Sequence, residues 1–210
     1  MMCFKMIMIF FILVFLNLPT VASNLYASAD ASPRSDLYEC TGLGEITYEI
    51  RPFNLDDAEK ELNVRQKIAF AMDEALRRYN CYTDLKAHIK VSFDPNVPTA
   101  KGSWLSRSIH FGNIGMVHKI TAMHEIAHVF GVGNSYGWDN LVQGQNFVGE
   151  SVQALLRNMK DAPKTIYADE SHFWPYGLNQ ASEVKSELDL LMHCLIVEAM
   201  TKDFKRALSF

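Results

Sequence analysis

The sequence has no excess of positive charge. Across 210 residues, 20 lysines and arginines face 24 aspartates and glutamates, for a formal net charge of −4. A chain with that balance carries no electrostatic footprint for nucleic acid. Charged residues make up 21% and hydrophobic residues 49%, which is not the polar, highly charged composition of a disordered protein. Eleven glycines and seven prolines are far too few for a collagen-like repeat, and the composition is not that of a coiled-coil rod. There is no internal repeat, no low-complexity tract and only one long apolar run. What is left is a length suited to one folded domain with a small appendage.

The single apolar run lies at the start. Residues 1–23 contain 18 hydrophobic residues, including an unbroken stretch from Met6 to Leu16 preceded by Lys5. A basic start, an apolar centre and small residues after it form the pattern of a secretory signal peptide. Cleavage is expected after Ser23 or as late as Ala29. The run is shorter than the roughly 20 residues that span a bilayer, so no membrane attachment is expected after cleavage. The chain then reads as a secreted protein, extracellular or periplasmic, with residues 24–39 as a flexible lead-in, one domain over residues 40–210, and a monomer.

Cysteine usage fits an oxidising compartment. Cys3 leaves with the leader, and Cys40, Cys81 and Cys194 remain. Cys40–Cys81 is the preferred pair, tying the first strand to the end of the first long helix and worth roughly 4 kcal/mol by loop-closure entropy. Cys194, among apolar neighbours in an expected helix, is expected as a buried thiol.

Periodicity outlines an α+β chain. Residues 45–51 and 87–93 alternate apolar and polar as strands do, and Ser108–Gly112 reads as a third, shorter one. A helix capped by Asp56 or Asp57 is expected to run to Asn80, with Ala58, Leu62, Ile68, Met72, Leu76 and Tyr79 as its apolar stripe. Val117–Phe130 reads as a helix stopped at Gly131. Residues 131–149 read as a Gly- and Asn-rich stretch, Glu150–Met159 as a short helix and 160–181 as a loop. Glu183–Ala207 completes the chain as a long helix through Val184, Leu188, Leu191, Leu195 and Ala199. Strands preceding a central helix suggest a twisted mixed sheet packed on helices.

One motif carries chemistry. His124-Glu125-Ile126-Ala127-His128 matches H-E-x-x-H. Positions i and i+4 share one helix face, so both imidazoles can reach one zinc ion at about 2.0–2.1 Å. Glu125, beside the first histidine, can take a proton from water and pass it to a leaving amine.

The segment from His124 to Gly133 resembles the active-site helix of the zincin metalloproteases, and Gly131 resembles the metzincin branch. Val97-Pro98-Thr99-Ala100, Ile109-His110-Phe111-Gly112 and His172-Phe173-Trp174-Pro175-Tyr176-Gly177-Leu178-Asn179 are similar to segments of small secreted bacterial and fungal zinc proteases. The resemblance extends in order over residues 45–205. It implies a zincin-like fold with the motif helix at the base of a cleft. It also implies an edge strand above that cleft, expected at Ile109–Phe111, which pairs with extended substrate.

A catalytic zinc site ordinarily has three protein ligands and an open position. The common metzincin spacing puts the third ligand at 134, where this chain has Asn134, a poor zinc donor. Glu150 has the separation found in zincins with a glutamate ligand, but its place at a helix start also suits an ordinary first-turn acid. His172 resembles the delayed third histidine of leishmanolysin-like zincins and is the preferred ligand. His193 is the remaining alternative. Metzincins place a methionine in a tight turn below the metal, but Met192 and Met200 both fall in the expected final helix. His88, His110 and His118 have no motif spacing and read as structural. Tyr176 reads as an aromatic loop contact, with oxyanion stabilisation as the other reading. The expectation is a zinc endopeptidase acting on protein or peptide substrate, with Glu125 as base and His124, His128 and His172 as ligands. A structural zinc site, or a peptidase limited to short peptides, is the alternative.

Overall fold

The computed structural model describes residues 39–159 and 162–208. The expected signal peptide, and the N-terminal segment up to residue 38, lie outside the described residues. The alternating segments form strands as their patterns predict. Strand β1 (Glu45–Ile50) runs into helix α1 (Ala58–Tyr82), which leads to β2 (Lys86–Phe93). β1 and β2 pair in parallel, with Ile46 opposite Ala87 and Tyr48 opposite Ile89.

Asp57, not Asp56, caps α1; its carboxylate accepts from the amides of Glu59 and Lys60. Such a cap is worth about 1 kcal/mol. The buried stripe is Val64, Ile68, Ala71, Met72, Ala75, Leu76 and Tyr79. Ala58 and Leu62 were expected in it and are exposed, Leu62 at 56%. The reason is helical phase: six residues from Ile68, at 100° each, leave Leu62 about 120° from the centre of the buried face. Arg78 is nearly buried in α1, where its Nη2 meets a carboxylate oxygen of Glu187 at 2.8 Å and so joins the first long helix to the last.

Two further strands complete a mixed sheet of order β1-β2-β4-β3. β4 (Ser108–Phe111) lies parallel to β2, while β3 (Ala100–Ser103) pairs with it antiparallel. The expected edge strand at 109–111 is therefore interior, and the edge is β3. Alanine, lysine, glycine and serine in four residues give little strand propensity of their own, so β3 is ordered by what it lies against. The disulfide Cys40–Cys81 forms and Cys194 is a buried free thiol, whose pKa is pushed well up by burial.

The later part is more structured than its composition predicts. Helix α2 (Lys119–Val129) is followed by α3 (Tyr136–Leu141), then by β5 (Val142–Gln143) and β6 (Asn146–Phe147). After α4 (Glu150–Asn158) come β7 (Ile166–Ala168) and β8 (Phe173–Trp174). β5 to β8 form a second, antiparallel sheet in chain order. Strands of two or three residues are too short to register as a period. Their inward residues Phe147, Ile166 and Phe173 are buried, each such burial worth roughly 1.5–3 kcal/mol.

Helix α5 (Glu187–Ala207) starts four residues later than expected, because the Ser186 amide is taken by Asp189 Oδ2 at 2.7 Å. Leu191 and Ala199 of its expected stripe are buried, but so are Met192, His193, Cys194, Ile196, Val197 and Met200. α5 is thus a core helix, packed against α1, α3 and α4. Met192 and Met200 sit within it and not in a turn. Among the described residues, no helix is long and apolar enough to cross a membrane.

Candidate metal centre

Helix α2 is built to present its polar face. The His118 ring caps its start by accepting from the Thr121 amide, and the helix ends where Gly131 takes a φ of +108°. Ala122, Met123, Ile126 and Ala127 are buried and fix its rotation. That rotation turns His124 and His128 together into a cleft of about 320 Å³. Their Nε2 atoms lie 3.1 Å apart, with the rings edge to face. A larger cavity of about 580 Å³ beside Trp104 and Phe204 contains none of these histidines, so chemistry and not size picks out the site.

The outer nitrogens are both committed. His124 Nδ1 is 2.9 Å from the Gly177 carbonyl, and His128 Nδ1 is 2.8 Å from that of Val132. A carbonyl only accepts, so each Nδ1 carries its ring proton and each neutral ring presents a bare Nε2 lone pair. Two lone pairs 3.1 Å apart repel unless a cation lies between them. A shared proton is disfavoured. Burial, with His128 beside it, lowers the His124 pKa to about 3, and burial also lowers His128. Two donors of a tetrahedral ion bound at 2.0–2.1 Å stand about 3.3 Å apart, close to the observed distance.

His172 joins this pair. Its ring stacks on His124 at 5.5 Å and lies 5.8 Å from that of His128. One nitrogen from each of the three rings lies within 4.8 Å of the other two, a cluster that could hold a metal ion. Asp169 shapes the loop that carries His172. Its Oδ1 accepts from the amides of Ser171 and His172, each at 2.7 Å, and lies 3.6 Å from His172 Nδ1. Desolvation opposes the charge on Asp169, yet these amides hold its carboxyl below the usual range. Gly133 makes the approach possible. It has a φ of +66°, and a Cβ there would stand 2.2 Å from the Ser171 carbonyl oxygen.

Glu125 is 5% exposed, and its Oε2 accepts from the Gly102 amide at 2.5 Å. Desolvation raises its pKa to about 7, with that hydrogen bond opposing the rise. Strand β3 lies directly on α2 at this point. A Cβ on Gly102 would stand 2.3 Å from the Glu125 backbone oxygen and 2.8 Å from His128 Cβ.

The alternatives are placed elsewhere. Asn134 lines the cleft, but its amide donates to the Gly102 carbonyl at 3.3 Å, so it pins the edge strand. Glu150 does not reach the cluster. The amides of Ser151 and Val152 at the start of α4 bind Asp203 of α5, which docks α4 away from the cleft and leaves Glu150 outward on Arg206 at 2.7 Å. His193 is buried with its ring bonded to α1 and to the β8 turn. His88 bonds Thr47 at 2.9 Å and His110 bonds Ser92 at 2.7 Å, both between strands. Sequence reasoning missed Gly102, Gly133 and Asp169. Only Asp169 had a local signal, an aspartate three residues before His172 that can close an Asx turn.

The buried imidazoles make stability depend on pH. In the metal-free chain His124 is lowered to about 3 and His193 to about 4, both by burial first, and His128 is lowered too. Below pH 6.5 the unfolded chain binds more protons at these rings, so stability is lost as pH falls from 6.5 toward 3. Glu125, raised to about 7, has the opposite sign and adds stability as pH falls from 7 toward 4.5. Glu198, raised by burial, acts in the same sense as Glu125, and three rings against these two carboxyls predict a lower melting temperature at pH 5 than at pH 7 in chelator. Glu125→Gln, which removes part of the offset, steepens the loss. A melting temperature that rises on acidification contradicts neutral imidazoles.

Comparison with protein-family models, with curated proteins and with solved structures finds no match to this chain. The functional reading therefore rests on the geometry of these residues.

Proposed function

We propose that the chain is an exported zinc-dependent endopeptidase with a zincin-like fold, acting on protein or peptide substrate. The observation that carries this reading is the pair of Nε2 atoms at 3.1 Å, both with Nδ1 committed to backbone carbonyls. Metal-ligating histidines bear that arrangement, the outer N–H fixing tautomer and orientation. His124, His128 and His172 would hold the metal. Imidazole donors suit zinc, copper, iron and nickel, and H-E-x-x-H with an adjacent carboxylate favours zinc. When bound, zinc supplies Lewis acidity, polarising a carbonyl and making water more acidic.

The chain's own groups supply the rest. Glu125, near neutrality in pKa, takes the proton from water and later gives it to the leaving amine. The Gly102 amide holds Oε2, leaving Oε1 for that exchange. In β3 the Lys101 backbone faces β4, and Ala100 and Gly102 alternate outward to the free edge. Glu125 and Asn134 claim Gly102, so Ala100 is the position offered to extended substrate. Among the described residues, no fourth histidine, cysteine or carboxylate joins the three rings. That speaks against a closed structural zinc site. Export is supported by the leader pattern and by the Cys40–Cys81 disulfide, a bond of oxidising compartments.

The test is hydrolysis of casein by the purified chain with one equivalent of zinc. Cleavage lost on chelation and restored by zinc is expected. Zinc binding without cleavage of casein or short peptides refutes the enzyme reading. Cleavage of short peptides alone leaves a peptidase of narrower substrate.

A further inference from the structure

We infer that His193 is a positioning residue for His124, acting through the turn at Tyr176–Gly177. The inference rests on reading His124 as a metal ligand. His193 lies in the core helix α5 and has no exposed surface. Its Nδ1 is 2.7 Å from the Tyr176 carbonyl oxygen. The next carbonyl, that of Gly177, is the one that binds His124 Nδ1 at 2.9 Å. Two consecutive carbonyls thus hold two imidazoles, one in the core and one at the cleft.

The turn needs an external hold. Tyr176 and Leu178 both have positive φ, 70° and 58°, a backbone region that side chains disfavour. The ring that supplies the hold is itself fixed. Its Nε2 lies 2.9 Å from the Tyr79 hydroxyl and 3.1 Å from the Met123 carbonyl oxygen, and its face stacks on Phe173. The Tyr79 hydroxyl also lies 3.2 Å from the Met123 carbonyl. His193 is therefore held to α1 by the Tyr79 hydroxyl, the donor available to its bare Nε2, and in turn holds the turn that selects the His124 tautomer; the Met123 carbonyl oxygen, an acceptor like Nε2, lies beside them within reach of the same hydroxyl. A fully buried polar ring is costly unless each nitrogen has a partner, and here Nδ1 has the Tyr176 carbonyl and Nε2 the Tyr79 hydroxyl.

The proton positions can be read in the wild-type chain without metal, by long-range 1H–15N spectra of the imidazoles. Nδ1–H is expected at both His193 and His124. An Nε2–H tautomer at either ring overturns the inference, whether or not the chain binds zinc. Two substitutions then separate the link from packing. In Asn the amide nitrogen can stand near the place of ring Nδ1, and in Gln near that of Nε2. His193→Asn keeps a donor for the Tyr176 carbonyl, whereas His193→Gln keeps a partner for Tyr79 and loses that donor. With a competing chelator, His193→Asn is expected to bind zinc within about twofold of wild type. His193→Gln is expected to bind about tenfold more weakly, with a shifted absorption spectrum when cobalt replaces zinc. Equal zinc affinity in the two variants overturns the inference. A wild-type chain that binds no zinc refutes the metalloenzyme reading alone, and the tautomer spectra still decide the role of His193.

Discussion

Glu125→Gln is expected to lower casein hydrolysis by a factor of about 10²–10⁴, the range supplied by a positioned general base, with zinc content unchanged. The amide has the shape of the carboxylate, and its oxygen can still accept from the Gly102 amide that now binds Oε2. The contact between β3 and α2 is therefore retained. What is lost is proton affinity at a buried atom whose pKa is raised to about 7. Removing an ionisable group from a site that disfavours its charge also predicts a metal-free variant at least as stable as wild type at pH 8. Full activity in the variant, at equal zinc content, removes Glu125 from the mechanism. Lost activity together with lost zinc assigns it to metal binding instead.

His172→Ala is expected to weaken zinc binding by at least about 100-fold, while Glu150→Ala changes it by less than about twofold. The prediction follows from where each group lies. The His172 ring stacks on His124, and a short loop organised by Asp169 holds it against the end of α2. The Glu150 side chain is 81% exposed and paired with Arg206 across α4 and α5. Its removal costs only a surface ion pair, worth roughly 0–1 kcal/mol. Zinc retained after dialysis reads the difference directly. Metal lost from Glu150→Ala and kept by His172→Ala reverses the assignment.

The candidate site was legible in proportion to how local its geometry is. His124 and His128 face one way because four residues make about one helical turn, a relation written within five letters of sequence. The alternation of β1 and β2, the periodic core face of α1 and the stop at Gly131 are likewise local. The pairing Cys40–Cys81 was one of a few possibilities and is the one formed. The apolar faces of α1 and α5 were read less well. A fixed list of apolar letters does not say which arc is covered, and Leu62 shows that an apolar residue at the wrong phase stays in water.

By itself, then, the sequence determined the class of the fold, its main helices and strands, and two imidazoles beside a carboxylate on one helix. Tertiary structure alone decided which distant group stands beside them. Asn134, Glu150, His172 and His193 were all compatible with some separation along the chain, and separation does not measure distance across a core. The choice was made by close approaches that have no local signature. Gly133 lets Ser171 and His172 lie against the end of α2. Asp203 draws the start of α4, and Glu150 with it, toward α5. Gly102 lets an edge strand of low propensity rest on Glu125, and that contact dries the carboxyl and raises its pKa. Burial is a property of the assembled layers, so the acidity of Glu125 and the neutrality of the imidazoles exist only once those layers have packed.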